Sequence, residues 1–182
     1  MGHDILLDVN VTVDILLKRK PFYTASLQVL NEAFIRNNRI WLYTGSVQTI
    51  HYVCAKELSR MFTLNFEDGL AQARSLLKGI SEYVQWLPAL SEDGDVWNAA
   101  DPEDEQLIKA FRRLGDKALF VSRDMKILQT TERAVSPEEA VELQQRQEEN
   151  LPFVDLSAQR DHMQAELQSR LFSVIHSNQF IN

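Results

Sequence analysis

The sequence predicts an α/β protein in which a central parallel sheet of four to five strands is flanked by helices. Short apolar runs of strand length alternate along the chain with stretches whose apolar residues recur at helical spacing. This alternation favours a parallel sheet, because parallel neighbours need crossover connections, usually helices. The 182 residues, 45% of them hydrophobic and 25% charged, suit one folded domain with an appendage.

The first half of the chain predicts a β-α-α-β-α opening. Residues 4–9 (DILLDV) are an apolar run of strand length, and residues 11–17 continue at helical spacing. Thr24 is the expected N-cap of the next helix. A second strand is predicted over residues 39–43 (RIWLY), followed by a helix over about 46–62.

The second half continues the alternation of helices and strands. Amphipathic spacing predicts a helix over residues 67–80, and a third strand follows over 83–87 (YVQWL). Pro102 opens the next helix, because proline is favoured at the first helical position, and Gly115 closes it. The fourth strand is predicted over residues 118–122 (ALFVS).

The pattern changes towards the carboxyl terminus. Ser136 and Glu139 form a predicted capping box that opens a helix of two to three turns. We therefore expect a main domain over residues 1–147 and a helical carboxyl-terminal extension over 148–182.

Acidic residues follow the predicted strands at their carboxyl ends. In open α/β sheets the functional site lies outside those ends. The residues at or just after them are Asp8, the segment 43–49, and the pair Arg123 and Asp124, with residues 101–104 at a helix start nearby. Three of these four places carry acids, which predicts a carboxylate site at this edge of the sheet.

Each of these acids also has a purely structural interpretation. Asp8 lies in an apolar run, where an ionised carboxylate needs a partner such as a metal ion, but Asp8 or Asn10 could instead cap the following helix. Asp101 could cap the helix that follows it, and Asp124 could be a helix cap after the fourth strand. Asp104 would lie in a first helical turn, which favours anions.

The charge distribution limits the functions that the sequence allows. The net charge is -7, and residues 91–106 contain seven acids and no Lys or Arg, so the rest of the chain sums to zero. An acidic protein binds phosphate backbones poorly without help. Divalent cations bound at the acidic cluster would mask part of this charge.

Other residue types exclude several classes of protein. The single Cys54 excludes an internal disulfide and a Cys-rich zinc site, and its apolar context predicts a buried side chain. No apolar run reaches the length of a membrane span, and residues 1–7 do not resemble a signal peptide, so we expect a cytoplasmic protein with no membrane partner. The histidines show no metal-binding spacing.

Taken together, three motifs resemble the PIN-domain family of metal-dependent nucleases, over about residues 3–130. They are ILLDVNVTVDILLKRKPFY at the start, DPEDEQLIKAF at the helix opening, and VSRD after the fourth strand. The resemblance implies a PIN-like three-layer fold and a ribonuclease that uses Mg²⁺, for which Mn²⁺ can substitute. It places the catalytic and metal-binding acids at Asp8, Asp104 and Asp124.

The resemblance has one vacant position. The family usually carries another acid in the helix after the second strand, and Thr49 stands there in YTGSVQTIHYV. Asp101 or Glu103 could take its place, and we include Asp101 among the predicted metal ligands. Asn10 matches a polar position of the family two residues after the first acid, and we expect Asn10 and Arg123 to contact the substrate.

The same family implies the partners that we expect. Many small bacterial members are toxins of toxin-antitoxin pairs, so RNA, a protein antitoxin and a second copy of the chain are the expected partners. The alternative is a catalytically silent PIN-fold interaction module, because Thr49 lacks the carboxylate. A third reading, a haloacid-dehalogenase-like phosphatase, rests on DVNVT, but Asn10 stands where that family has its general acid.

The last residues carry a separate resemblance. Residues 151–182 (LPFVDLSAQRDHMQAELQSRLFSVIHSNQFIN) are similar to the amino-terminal stretch of DegT-type sugar aminotransferases, with Asn178 in place of a glycine. The lysine and cofactor pocket of that family would lie beyond this terminus, so we expect no transaminase activity. A predicted helix over about 157–176 has an apolar face that must be covered, which favours a homodimer.

Overall fold

A computed structural model describes residues 3–91 and 100–146 of the chain. Its centre is a parallel sheet of five strands in the order β3-β2-β1-β4-β5. The predicted α/β class with a parallel sheet is therefore confirmed. The strands are β1 (Asp4–Leu7), β2 (Arg39–Tyr43), β3 (Gln85–Leu87), β4 (Leu119–Val121) and β5 (Ala134–Val135).

Helices connect the strands and cover both faces of the sheet. They are α1 (Val9–Leu17), α2 (Tyr23–Ile35), α3 (Val47–Phe62), α4 (Phe66–Ile80), α5 (Pro102–Arg112), α6 (Met125–Thr130) and α7 (Pro137–Gln145), with a short 3-10 turn at Thr44–Ser46 before α3. Within the described part of the chain, every helix is too short or too polar to cross a membrane.

Alternation along β1 divides the apolar core into two layers. Ile5 and Leu7 point into a cluster formed with α1 to α4 and α7, whereas Leu6 points to the other face. There it joins Phe111 of α5 and Phe120 of β4, whose rings lie 5.4 Å apart. Successive side chains of a strand face opposite sides of a sheet, so a continuous apolar strand requires cover on both. The result is a three-layer arrangement consistent with a PIN-like fold.

Helix boundaries follow local capping chemistry. Asp8 caps α1, and Asn65 caps α4 by accepting a hydrogen bond from the Asp68 amide at 2.9 Å. The predicted capping box at Ser136 is present, with reciprocal bonds between Ser136 and Glu139. These side chains satisfy amides that have no partner within the helix.

Helices α3 and α4 pack closely because of one glycine. A Cβ added at Gly69 would lie 2.7 Å from the Ala55 carbonyl oxygen and 2.2 Å from the Ser59 hydroxyl. Only a residue without a side chain permits this approach. Both helices contribute buried side chains to the core cluster that contains Ile5 and Leu7.

The structure departs from the sequence prediction at several places. Helix α2 begins at Tyr23, so the prediction that Thr24 caps it is wrong: Phe22 occupies the cap position and makes no side-chain cap bond. The short elements α6 and β5 were not predicted individually. The extension 148–182, with its predicted helix over 157–176, lies outside the described residues.

Candidate functional site

A cavity of about 250 Å³ opens at the carboxyl-terminal edge of the sheet. Four acids line it: Asp8 directly after β1, Glu103 and Asp104 in the first turn of α5, and Asp124 just after β4. Asp8, Asp104 and Asp124 come from three separate segments of the chain, and the parallel topology brings them to one place. This is the position that the strand ends predict.

The Asp8 carboxylate is buried and held by three donors. One oxygen accepts a hydrogen bond from the Val9 amide at 2.6 Å. The other accepts from the Ser122 hydroxyl at 2.5 Å and from the Asn10 side-chain amide at 2.6 Å. The residue is only 5% exposed, so its orientation is set by the protein rather than by water.

Burial and neighbouring charge oppose the ionisation of Asp8. Burial raises the pKa of Asp8 to about 6, the hydrogen bonds from Ser122 and Val9 lower it, and the charges of Asp104 and Asp124 raise it further. The pKa of Asp104 is also raised, first by burial and then by the charges of Asp101 and Asp124. The three carboxylates are therefore close enough to repel one another.

Ser122 connects two of the acids and was not predicted from the sequence. It is fully buried, donates to Asp8, and accepts a hydrogen bond from the Asp124 amide at 2.9 Å. Asp124 itself caps α6, with one oxygen accepting from the Lys126 amide at 2.7 Å. The position of Ser122 at the end of β4 was the only sequence feature that could have indicated its role.

Asp101 takes the structural role that its sequence allowed. It is exposed, caps α5 by accepting from the amides of Glu103 at 3.1 Å and Asp104 at 3.3 Å, and is not among the residues that line the cavity. It influences the site through charge, since it raises the pKa of Asp104. Its predicted place among the metal ligands is therefore not supported by its position.

Glu103 brings the fourth carboxylate to the cavity. Thr49 also lines the cavity, so the position where the resemblance leaves an acid missing does border the site. Glu103 lines it too, and its Oε1 atom is buried without a hydrogen-bond partner in the described part of the chain. Of the two substitutes that the sequence offered for the missing acid, Glu103 is the one placed to contribute.

The two predicted substrate contacts differ in position. Asn10 lines the cavity, donates to Asp8 and accepts from the Arg123 amide at 3.2 Å. The Arg123 guanidinium instead donates to both oxygens of the buried Asp14, at 2.6 and 3.0 Å, and stacks 3.8 Å from the Phe22 ring centroid. A phosphate contact requires an available guanidinium, and this one is held by Asp14.

Among the residues that the structure describes, Arg19 is the cationic side chain that lines the cavity. Its Nε atom lies 3.6 Å from an oxygen of Asp14. Its side chain is 40% exposed, so it can reach solvent and an incoming anion. Arg19 is the central residue of the basic run from Lys18 to Lys20.

The four acids offer the type of ligand that a magnesium ion prefers, but their side chains are not arranged around a common point. Carboxylate oxygens are the ligands that Mg²⁺ prefers, and it keeps several waters, so few protein ligands suffice. Among the residues that the structure describes, however, no group of three or more Asp, Glu, His or Cys side chains is arranged to hold a metal ion. The cavity is thus a cluster of mutually repelling carboxylates that a cation would neutralise.

Comparison with known proteins adds no relative to this description. No protein-family model, no curated protein and no solved structure matches the chain.

Proposed function

We propose that the chain is a magnesium-dependent endoribonuclease of the PIN type that hydrolyses RNA phosphodiester bonds. The observation that carries the proposal is the convergence of Asp8, Asp104 and Asp124, from three separate segments, on one cavity at the carboxyl-terminal edge of a parallel sheet. The raised pKa values of Asp8 and Asp104 support it, because burial and like charge oppose ionisation unless a cation is bound.

Asp8, Asp104 and Asp124 would hold the metal, with Glu103 available as a fourth carboxylate. When bound, Mg²⁺ supplies an activated water and stabilises negative charge that develops on the phosphate oxygens. Ser122 and Asn10 orient the Asp8 carboxylate through hydrogen bonds, so that its direction is set before a ligand arrives. Arg19 lies at the same cavity and would attract the substrate phosphate.

The test is cleavage of a structured RNA by the full chain in Mg²⁺ or Mn²⁺. We expect Asp104→Asn and Asp124→Asn to lower the rate by about a hundredfold or more, because each removes a charge from the metal ligands. Asp101→Asn is the matched control: it changes the same functional group just outside the cavity, and asparagine caps helices as well as aspartate. It should retain most of the activity.

Activity that survives in Asp104→Asn and Asp124→Asn would overturn the assignment, provided that thermal denaturation shows both variants to be folded. A loss of equal size in Asp101→Asn would also contradict it, since the effect would then come from the α5 amino terminus rather than from the cavity.

The second candidate is a catalytically silent PIN-fold interaction module. Two observations favour it. Among the described residues, no group of three or more acidic, His or Cys side chains is arranged to hold a metal ion, and Thr49 stands in the position where the family has an acid. Calorimetry with Mn²⁺ separates the two candidates. Binding that is lost in Asp124→Ala supports the enzyme, whereas the absence of binding at millimolar metal supports the module.

We also propose that the protein works in the cytoplasm as a homodimer, with a protein antitoxin as its regulator. The antitoxin and the location follow from the resemblance and the sequence. The dimer is supported by exposed apolar side chains on α3 and at the start of α4: Tyr52, Met61, Phe62 and Phe66 are 44 to 59% exposed. The rings of Tyr52 and Phe66 pack edge to face at 5.9 Å.

A further inference from the structure

A second opening lies on the other side of α3 from the carboxylates. It is a shallow groove of about 520 Å³ between the Thr44–Ser46 turn, α3, α4 and β3. Thr49 and Val53 of α3 line the carboxylate cavity, whereas Gln48 and His51 line the groove. The amino-terminal half of one helix therefore separates the two openings, and nothing in the proposed metal chemistry uses the groove.

The groove carries charge of the opposite sign to the cavity. Arg74 and Lys78, both exposed, lie one helical turn apart on the same face of α4 and line the groove. Among the described residues that line it, none is acidic. In a chain of net charge -7, such a local excess of cations favours an anionic ligand over a cationic one.

The wall opposite α4 is aromatic. Trp86 of β3 is half-buried: it packs against the apolar core and also lines the groove. The indole offers a flat surface next to two cations. Aromatic side chains beside basic ones are the combination by which proteins hold single-stranded nucleic acid, with bases stacked on rings and phosphates on cations.

We propose that this groove binds a single-stranded segment of RNA, with a base stacked on Trp86 and the flanking phosphates paired with Arg74 and Lys78. The inference rests on the proposed ribonuclease function and assigns the part of the RNA that is held: an unpaired segment, such as a loop of a structured RNA, that crosses α3 to reach the carboxylates. A helix with side chains is about 10 to 12 Å across, a distance that a few nucleotides span. His51 lies in the groove with its Nε2 2.9 Å from the Leu70 carbonyl oxygen, so one ring nitrogen already has a partner.

The test measures binding of a short labelled oligouridylate to the full chain in EDTA, by fluorescence anisotropy, so that binding is observed without cleavage. We expect Arg74→Gln/Lys78→Gln to weaken binding at least tenfold. The dependence of log K on log salt should fall by about 1.4, since each phosphate contact on a single strand contributes about 0.7. The control Lys56→Gln/Arg112→Gln removes the same charge from exposed positions outside the groove and should change binding less than twofold.

A second pair of variants tests the stacking surface. Trp86→Leu should weaken binding about tenfold, because the ring is lost, whereas Trp86→Phe keeps an aromatic face and should recover most of the affinity. Both substitutions shrink a partly buried side chain, so a loss of folding alone would affect both. Thermal denaturation of each variant verifies that the comparison is made between folded proteins.

Three results would overturn the inference. The first is equal RNA binding by the groove and control double variants. The second is displacement of RNA by polyglutamate as effectively as by unlabelled RNA, which would make an acidic protein the better occupant. The third is equal competition by inorganic polyphosphate together with no effect of Trp86→Leu, which would reduce the groove to an anion patch.

These outcomes are independent of the proposed catalysis. Groove variants that lose binding in EDTA support the groove even if no RNA is cleaved in Mg²⁺. Conversely, metal-dependent cleavage with an unchanged KM in Arg74→Gln/Lys78→Gln retains the nuclease and rejects the groove.

Discussion

At the scale of single residues, Asp8 shows that placing a buried carboxylate at the site lowers the stability of the fold. The residue is 5% exposed and lies near two further acids, yet three hydrogen-bond donors point at its carboxylate. The donors favour the ionised form, but burial outweighs them and the pKa rises to about 6. Asp8 is thus ionised at neutral pH, and its burial lowers the free energy of unfolding there, which an apolar residue at this position would not do.

Asp8 makes stability depend on pH in a defined window. Its folded pKa of about 6 lies above its ordinary value of 3.8, so between these values the folded protein keeps a proton that the unfolded chain has lost. The free energy of unfolding therefore falls as pH rises through this window, by about 3 kcal/mol in total. We expect urea denaturation in EDTA to show this: the difference in free energy of unfolding between wild type and Asp8→Asn should change by this amount between pH values below 4 and above 6.

Asp101→Asn is again the control for this measurement, because it makes the same chemical change at an exposed cap. Its unfolding curves should keep the contribution that Asp8 makes to the pH dependence, since the charges that raise the pKa of Asp8 are those of Asp104 and Asp124. Parallel pH profiles for wild type and Asp8→Asn would show that the carboxyl is not held above its ordinary pKa.

A second feature at this scale is the ion pair between Arg123 and Asp14, which we expect to stabilise the fold. Asp14 has no exposed side-chain surface, and Arg123 contacts both of its oxygens. Burial raises the pKa of Asp14, while Arg123 and Arg19 lower it. Arg123→Gln would leave the buried carboxylate with the more distant Arg19 and a long hydrogen bond from Ser26 at 3.5 Å, so we expect a loss of about 3 kcal/mol in chemical denaturation.

An exposed ion pair provides the comparison. Arg39 contacts Asp4 at 2.7 Å, but its side chain is 60% exposed, so Arg39→Gln should cost less than about 1 kcal/mol. Equal losses in the two variants would show that the Asp14 environment is not the source of the difference. RNA cleavage by Arg123→Gln, measured where it is folded, should remain, because its guanidinium does not line the cavity.

At the scale of elements, local patterns predicted most of the fold. The apolar runs that became β1 and β2, the capping box of α7 and the proline that opens α5 are signals contained in a few adjacent residues. Elements α6 and β5 were missed individually because six and two residues are too short for periodicity. The position of β5 depends on its pairing with β4, which is a tertiary contact.

The same distinction explains which site residues were predicted. Asp8, Asp104 and Asp124 could be proposed because strand ends and helix starts are visible in the sequence. The choice of Glu103 over Asp101 could not be, because it depends on which face of the first turn of α5 meets the cavity. The partner of Arg123 was also out of reach, since Asp14 lies 109 positions away in the chain.

At the scale of the whole molecule, the topology produces two openings of opposite charge. The parallel order β3-β2-β1-β4-β5 brings the ends of β1 and β4 to the carboxylates and the ends of β2 and β3 to the basic groove. Like charges gathered in one place repel an RNA strand unless cations are bound. In the ribonuclease that we propose, the separate cationic groove would give the strand a first contact that does not require the metal.

The exposed side chains of Phe62 and Phe66 lead to a prediction about the assembled molecule. Exposed apolar side chains favour association, and a two-fold dimer that buries them places the same surface of each copy against the other. Phe62→Lys/Phe66→Lys would then bring like charges together, so light scattering should change from twice the chain mass to the chain mass. Met125→Lys/Leu143→Lys changes exposed apolar residues elsewhere and should leave the mass unchanged. A monomeric wild type at high concentration would contradict the dimer, and a dimer that survives Phe62→Lys/Phe66→Lys would place the interface on another surface.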